Sequence, residues 1–125
     1  MIDTTNQLLF EDKVIEMLLS GNDEILAELR AQYHCAKVKQ RRFTGRGFFT
    51  YFELKNYTPQ HFVNGVISDV DAISQDNQSY HFNLFITDGV IEALEGVSES
   101  DDWIEDYNNV KLFYWSDEKR NYTLV

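Results

Sequence analysis

Tyr80-His81-Phe82-Asn83-Leu84-Phe85-Ile86, then Thr87-Asp88-Gly89, then Val90-Ile91-Glu92-Ala93-Leu94-Glu95-Gly96: residues 80 to 96 carry two apolar runs of strand length joined by the strongest turn signal in the chain. Alternation places Tyr80, Phe82, Leu84 and Ile86 on one side and His81, Asn83, Phe85 and Thr87 on the other, with the Leu84 side inward. Asp-Gly accepts the positive φ values that a two-residue hairpin needs. Gly96 is expected to end the second strand.

A second hairpin is predicted upstream. Lys37 to Thr44 and Phe48 to Leu54 are aromatic or β-branched runs on either side of Gly45-Arg46-Gly47. Before it the period changes from 2 to 3.6. Phe10, Val14, Met17 and Leu18 form a helical stripe, Gly21 is a stop, and Asn22 or Asp23 can cap a second helix with Ile25, Leu26 and Leu29 inward and Glu28 and Arg30 outward. A helical hairpin over about residues 8 to 33 follows. Pro59, which cannot donate to a ladder, lies in a connection to a strand at about Val63 to Ile73. Gln75 to Gln78 is a turn, Val110 to Trp115 a late strand, and Tyr122 to Val125 a short tail strand. The expected fold is α+β: an N-terminal helical hairpin packed on a five- to six-stranded, mostly antiparallel sheet, with residues 1 to 125 forming a single domain.

Composition narrows function. At 125 residues, 43% apolar and 14% aromatic, the chain can bury one core but is too interrupted by charge to supply a membrane span. Met1 to Gln7 lacks the basic and apolar regions of a secretory signal, and the lone Cys35 suits a reducing compartment, so a cytoplasmic location is expected. The net charge of −10 is unevenly distributed: residues 57 to 125 hold 13 acids against three bases, while the first 56 residues are balanced at eight of each. Such a surface repels phosphate backbones and attracts a basic partner.

Catalytic, cofactor-binding and metal sites are not expected. His34, His61 and His81 lack partners at helical spacing, and His34 and Cys35 would diverge on any strand. Asp69 and Asp71 would share an exposed strand face, without the glycine and distal glutamate of a calcium loop. Cys35 reads as a buried thiol. Thr44-Gly45-Arg46-Gly47 reads as a hairpin turn in preference to an anion cradle. The basic cluster Lys37, Lys39, Arg41, Arg42 and Arg46 has two readings: internal pairing with acids such as Glu53, or a second binding surface with Phe43 and Phe48.

The most informative functional segment is Glu92 to Asp106, which has seven acids and no base. Glu99, Asp101, Asp102, Trp103, Glu105, Asp106 and Tyr107 are the candidate partner-binding residues: carboxylates speed the encounter with a cationic surface and large aromatics anchor it. The competing reading is a solvated acidic loop whose Trp103 packs on its own core. An alternative from another class is a small enzyme or small-molecule-binding domain with a pocket between helices and sheet. Phe48, Tyr51, Phe82 and Trp115 would line that pocket, with His81 or Asp69 as its polar groups. A homo-oligomeric structural protein is a third.

Arg42 to Leu54 and Phe82 to Gly96, followed by the acid-rich stretch with Trp103, resemble small bacterial proteins that include the immunity proteins of polymorphic and contact-dependent toxin systems. The resemblance covers about residues 8 to 115. It implies a protein that binds a cognate toxin domain and silences it, and it assigns no site residue; the acid-aromatic segment, joined to the lack of a catalytic constellation, makes the expected partner a basic toxin domain, such as a nuclease, and the protein no enzyme.

Overall fold

The computed structural model describes residues 4–116, 120 and 122–125, so Met1 to Asp3 of the N-terminal stretch read above lie outside the described residues. Helix α1 spans Thr4–Leu18 and α2 spans Glu24–Cys35. Asp23 caps α2, its carboxylate accepting from the Ile25 and Leu26 amides at 2.8 and 3.4 Å. Gly21 turns the chain between the helices at φ 129°. The end of α1 is satisfied by two arginines: Arg30 donates to the Leu19 and Gly21 carbonyls, and Arg120 to those of Leu18 and Ser20. A cation there also suits the negative end of the helix dipole.

The strands are β1 (Lys37–Phe43), β2 (Gly47–Glu53), β3 (Gly65–Ile67), β4 (Val70–Ser74), β5 (Ser79–Thr87), β6 (Val90–Ser98), β7 (Val110–Tyr114) and β8 (Tyr122–Leu124). Every pairing is antiparallel, in the order β1-β2-β6-β5-β3-β8, with β4 beside the other end of β5 and β7 outside β4. Both hairpins form where expected. Asp88 and Gly89 take φ 50° and 79°, and Gly45 takes φ 86°.

Among the described residues the sheet has eight strands where five or six were expected, and one of the additional strands has a local cause. The strand read at 63 to 73 breaks at Ser68 and Asp69, because the Asp69 carboxylate turns into the interior to meet Arg120. The break makes β3 and β4 out of one run. The Trp115 amide and indole then donate to the carbonyls of Asp69 and Ser68, holding it open. Gly96 also departs from expectation, lying inside β6 rather than ending it. A Cβ there would come within 2.5 Å of the Phe48 ring and 2.8 Å of the Trp103 ring, so the missing side chain makes room for two aromatics.

One sheet face is covered by the helices. Phe10, Val14, Ile15 and Leu18 of α1 and Leu26 and Leu29 of α2 meet Phe48, Phe52, Phe82, Leu84, Ile86 and Leu94, all buried. At about 25 cal/mol per Å2 of apolar surface, this layer is the main stabilising contribution. Gln32, also buried, substitutes for a ladder partner at the irregular end of the β5–β6 pairing: it accepts from the Ile91 amide at 2.6 Å and donates to the Gly89 carbonyl at 2.9 Å. No helix of the described residues is long and apolar enough to cross a membrane.

Glu28, expected to point outward, is instead the anchor of the β2–β3 connection. Its carboxylate accepts from the Tyr57 hydroxyl (2.9 Å), the Gln60 amide (2.8 Å), the His61 amide (3.2 Å) and the His61 ring at Nδ1 (2.8 Å). Burial alone would raise its pKa, but the hydrogen bonds from Gln60, the His61 ring, Tyr57 and the His61 amide outweigh it and hold the carboxyl below 4.5. The His61 ring is shifted up from 6.5 by its bond to Glu28, against its own desolvation, with help from Glu24. A lowered carboxyl stabilises above its unfolded pKa and loses that contribution as pH falls. A raised imidazole stabilises below its unfolded pKa and loses it as pH rises. The connection is therefore held most firmly between about pH 4.5 and 6.5. Exchange of the Gln60 and His61 amides, corrected for intrinsic rates, should be slowest in that window; a flat profile from pH 4 to 8 would refute the coupling.

Candidate functional site

The segment from Glu99 to Tyr107 leaves β6, crosses the end of the sheet beside α1, and closes in a single 3-10 turn, Tyr107–Asn109, before β7. Arg46, from the β1–β2 turn, fixes its start by donating to the Ser98 and Ser100 carbonyls at 3.1 and 2.9 Å. Asp106 fixes its end, accepting from the Asn108 amide at 2.9 Å. The segment is thus a positioned element.

Glu99, Asp101, Asp102, Glu105 and Asp106 are all exposed. Among the described residues none of them pairs with a lysine or arginine; the ion pairs join Glu11 to Arg41, Asp69 to Arg120, Glu24 and Glu28 to His61, and Asp71 to His81. Among the described residues the two arginines that form ion pairs, Arg41 and Arg120, do so with Glu11 and Asp69. These carboxylates form an unneutralised ridge.

The two aromatics turn the other way. Trp103 packs edge to face on Phe48 (5.5 Å between centroids), Tyr80 (5.3 Å) and Phe82 (6.2 Å), and it is half-buried. Its indole N–H donates to the Tyr107 hydroxyl at 3.0 Å, which in turn donates to Gln7. Tyr107 stacks on Phe10 at 4.0 Å, and its burial shifts the phenol pKa upward despite the hydrogen bond from Trp103. The proposed anchor is therefore largely committed to its own core. Only its remaining edge faces outward.

That edge borders a groove of about 800 Å3. One wall is the α1 stripe Asn6, Leu9, Phe10 and Lys13; the other is the acidic segment from Asp102 to Asn108, with Val110 and Leu112 below. Of the predicted partner-binding residues, Asp102, Trp103, Glu105, Asp106 and Tyr107 line the groove. Glu99 and Asp101 are not part of its lining.

A buried polar chain continues behind the groove, and sequence reading missed it. Gln7 donates to Glu11 at 2.8 Å; Glu11, fully buried, also accepts from Thr50 (2.5 Å) and twice from Arg41 (3.0 and 2.7 Å). The bond to Glu11 raises the Arg41 pKa in spite of burial. The signal was present: Gln7 and Glu11 stand at i and i+4 on the stripe that continues through Val14, Ile15 and Leu18, where a solvent-facing residue does not belong.

The basic cluster divides. A register break between Val38 and Gln40 puts Arg41 on the helix side, bound to Glu11, while Lys37 stands opposite Glu53 on the other face. Arg42 lies 4.9 Å over the Phe49 ring. The residues of the alternative pocket do not converge either: Phe48 and Phe82 are fully buried, Trp115 is exposed and bonded to Ser68, and Asp69 is sealed against Arg120. Asp71, part-exposed, hydrogen-bonds the His81 ring at 2.5 Å while Asp69 is fully buried, so the two do not share an exposed face. Cys35 is exposed at the end of α2, not buried. Among the described residues no group of three or more His, Cys, Asp or Glu side chains is placed to hold a metal.

No family model, curated protein or solved structure matches this chain.

Proposed function

We propose that the chain is an immunity-type protein of the cytoplasm that binds and neutralises a basic toxin domain through its acidic-aromatic surface, without catalysing a reaction. The observation that carries this reading is the row Glu99, Asp101, Asp102, Glu105 and Asp106, exposed together and unpaired with any lysine or arginine among the described residues. Same-sign charges held in a fixed loop repel one another and lower stability, so they are explained better by a cationic partner than by the fold. Trp103 and Tyr107 make the loop rigid, which lowers the entropy cost of docking.

The reading predicts a toxin gene immediately upstream of this one, and the test is co-expression with the domain it encodes. Reversing Glu99, Asp101, Asp102 and Glu105 to lysine should abolish growth protection and weaken binding by at least about a hundredfold, with the wild-type affinity falling steeply with salt. These positions are exposed, so the variant should melt within a few degrees of the parent. Undiminished protection by the folded variant would end the proposal.

A further inference from the structure

We infer that the groove between α1 and the 102–112 segment receives an amphipathic cationic helix of the partner, with apolar side chains on Leu9 and Leu112 and basic ones along Asp102, Glu105 and Asp106. This rests on the binding reading above and specifies how the surface is used.

The α1 wall has helical periodicity. Asn6, Leu9, Phe10 and Lys13 stand at i, i+3, i+4 and i+7, so the groove runs along about two turns of α1 and matches the ridge spacing of another helix. Most of its apolar lining packs on the chain's own core, and Leu9 is the exception among the described residues. Leu9 is 55% exposed, although α1 has a complete buried stripe on its other side. Solvated leucine beside the outer edge of an indole is surface that a partner can remove from water.

Charge selects the occupant. Among the described residues, the wall opposite α1 presents Asp102, Glu105 and Asp106 and no base, and Lys13 is the only cation in the lining. An acidic or purely apolar helix would leave these carboxylates desolvated without partners, whereas a helix with arginines or lysines on one side pairs them. Lys13 closes one end and disfavours a cation there. The occupant's negatively polarised C-terminal end therefore belongs beside Lys13.

Titration with synthetic helical peptides, read through Trp103 fluorescence in a Trp115→Phe background, tests this on the whole chain. Three peptides of equal length are needed: leucines on one face and arginines on the other; the same peptide with serine for leucine; and the same with glutamate for arginine. The first should shift Trp103 emission and bind at least about tenfold more tightly than either control. Leu9→Ser, at a position already solvated, should weaken it by about tenfold without changing the melting temperature, and Asp102→Asn with Glu105→Gln should do likewise. Equal binding of the serine peptide, or no effect of Leu9→Ser, would overturn the groove assignment. It would leave the charge-based proposal standing, since that is decided separately by the lysine variant. If the leucine-arginine peptide fails to perturb Trp103, the groove is not a helix site.

Discussion

Glu11→Ala is expected to lower the unfolding free energy by about 3–5 kcal/mol, measured by urea denaturation. The carboxylate is fully buried and accepts four hydrogen bonds: two from Arg41 and one each from Gln7 and Thr50. Deleting it strands a guanidinium that is only 16% exposed, together with a buried amide and a buried hydroxyl. Leaving a charge unpaired in the interior costs far more than the pair contributes in net terms, because the desolvation penalty persists after the attraction is gone. For a domain of this size the loss is a large part of total stability, which is typically about 5–15 kcal/mol. The double variant Glu11→Leu with Arg41→Met should recover much of it, since neither charge is then buried alone. If Glu11→Ala costs under about 1 kcal/mol, or if the double variant is no better than the single, the orphaned-charge account is wrong. The same substitution should disturb the groove: Gln7 bridges Glu11 to the Tyr107 hydroxyl, and Tyr107 receives the Trp103 indole proton, so Trp103 fluorescence should report the loss before global unfolding.

What could be seen in the sequence was whatever neighbours in the chain determine. Asp88-Gly89 specifies its hairpin because the turn conformation depends on those two residues, and the α1 stripe depends on a spacing of three and four. The outward acids from Glu99 to Asp106 were legible for a similar reason, since a run without an apolar period has nowhere inside to go. What could not be seen depends on partners far along the chain. Asp69 and Arg120 are 51 positions apart, and no local pattern marks their meeting, yet it divides one strand into two. Gly96 resembles a strand end because nothing nearby reveals that Phe48 and Trp103 lie across it. The Trp103 indole, which the acids around it suggest is an outward anchor, is drawn inward by the vacancy that Gly96 leaves.

Asp69→Ala should cost a similar 3–5 kcal/mol, with a different signature. The Asp69 side chain is fully buried and takes a forked pair from Arg120, at 2.6 Å from Nε and 3.0 Å from Nη2. The same guanidinium donates to the Leu18 and Ser20 carbonyls at the end of α1 and lies 4.9 Å over the Tyr114 ring and 5.9 Å from that of Tyr122. One side chain therefore ties α1 to β4, β7 and β8. Arg120→Lys keeps the charge but has a single ammonium and no planar fork, so it cannot serve two carboxylate oxygens and two carbonyls at once; it should lose at least half as much as Asp69→Ala. Hydrogen exchange distinguishes a clasp from a general stabiliser. The Asn64–Val125 amide pair beside β8 should open first in Arg120→Lys, while the β5–β6 amides retain protection up to the global limit. β8 has three residues and, among the described residues, pairs with β3 alone, so its own ladder is too short to hold it once the guanidinium lets go. Uniform loss of protection across the sheet would show that the Asp69–Arg120 pair acts on the whole core and that β8 holds itself in place.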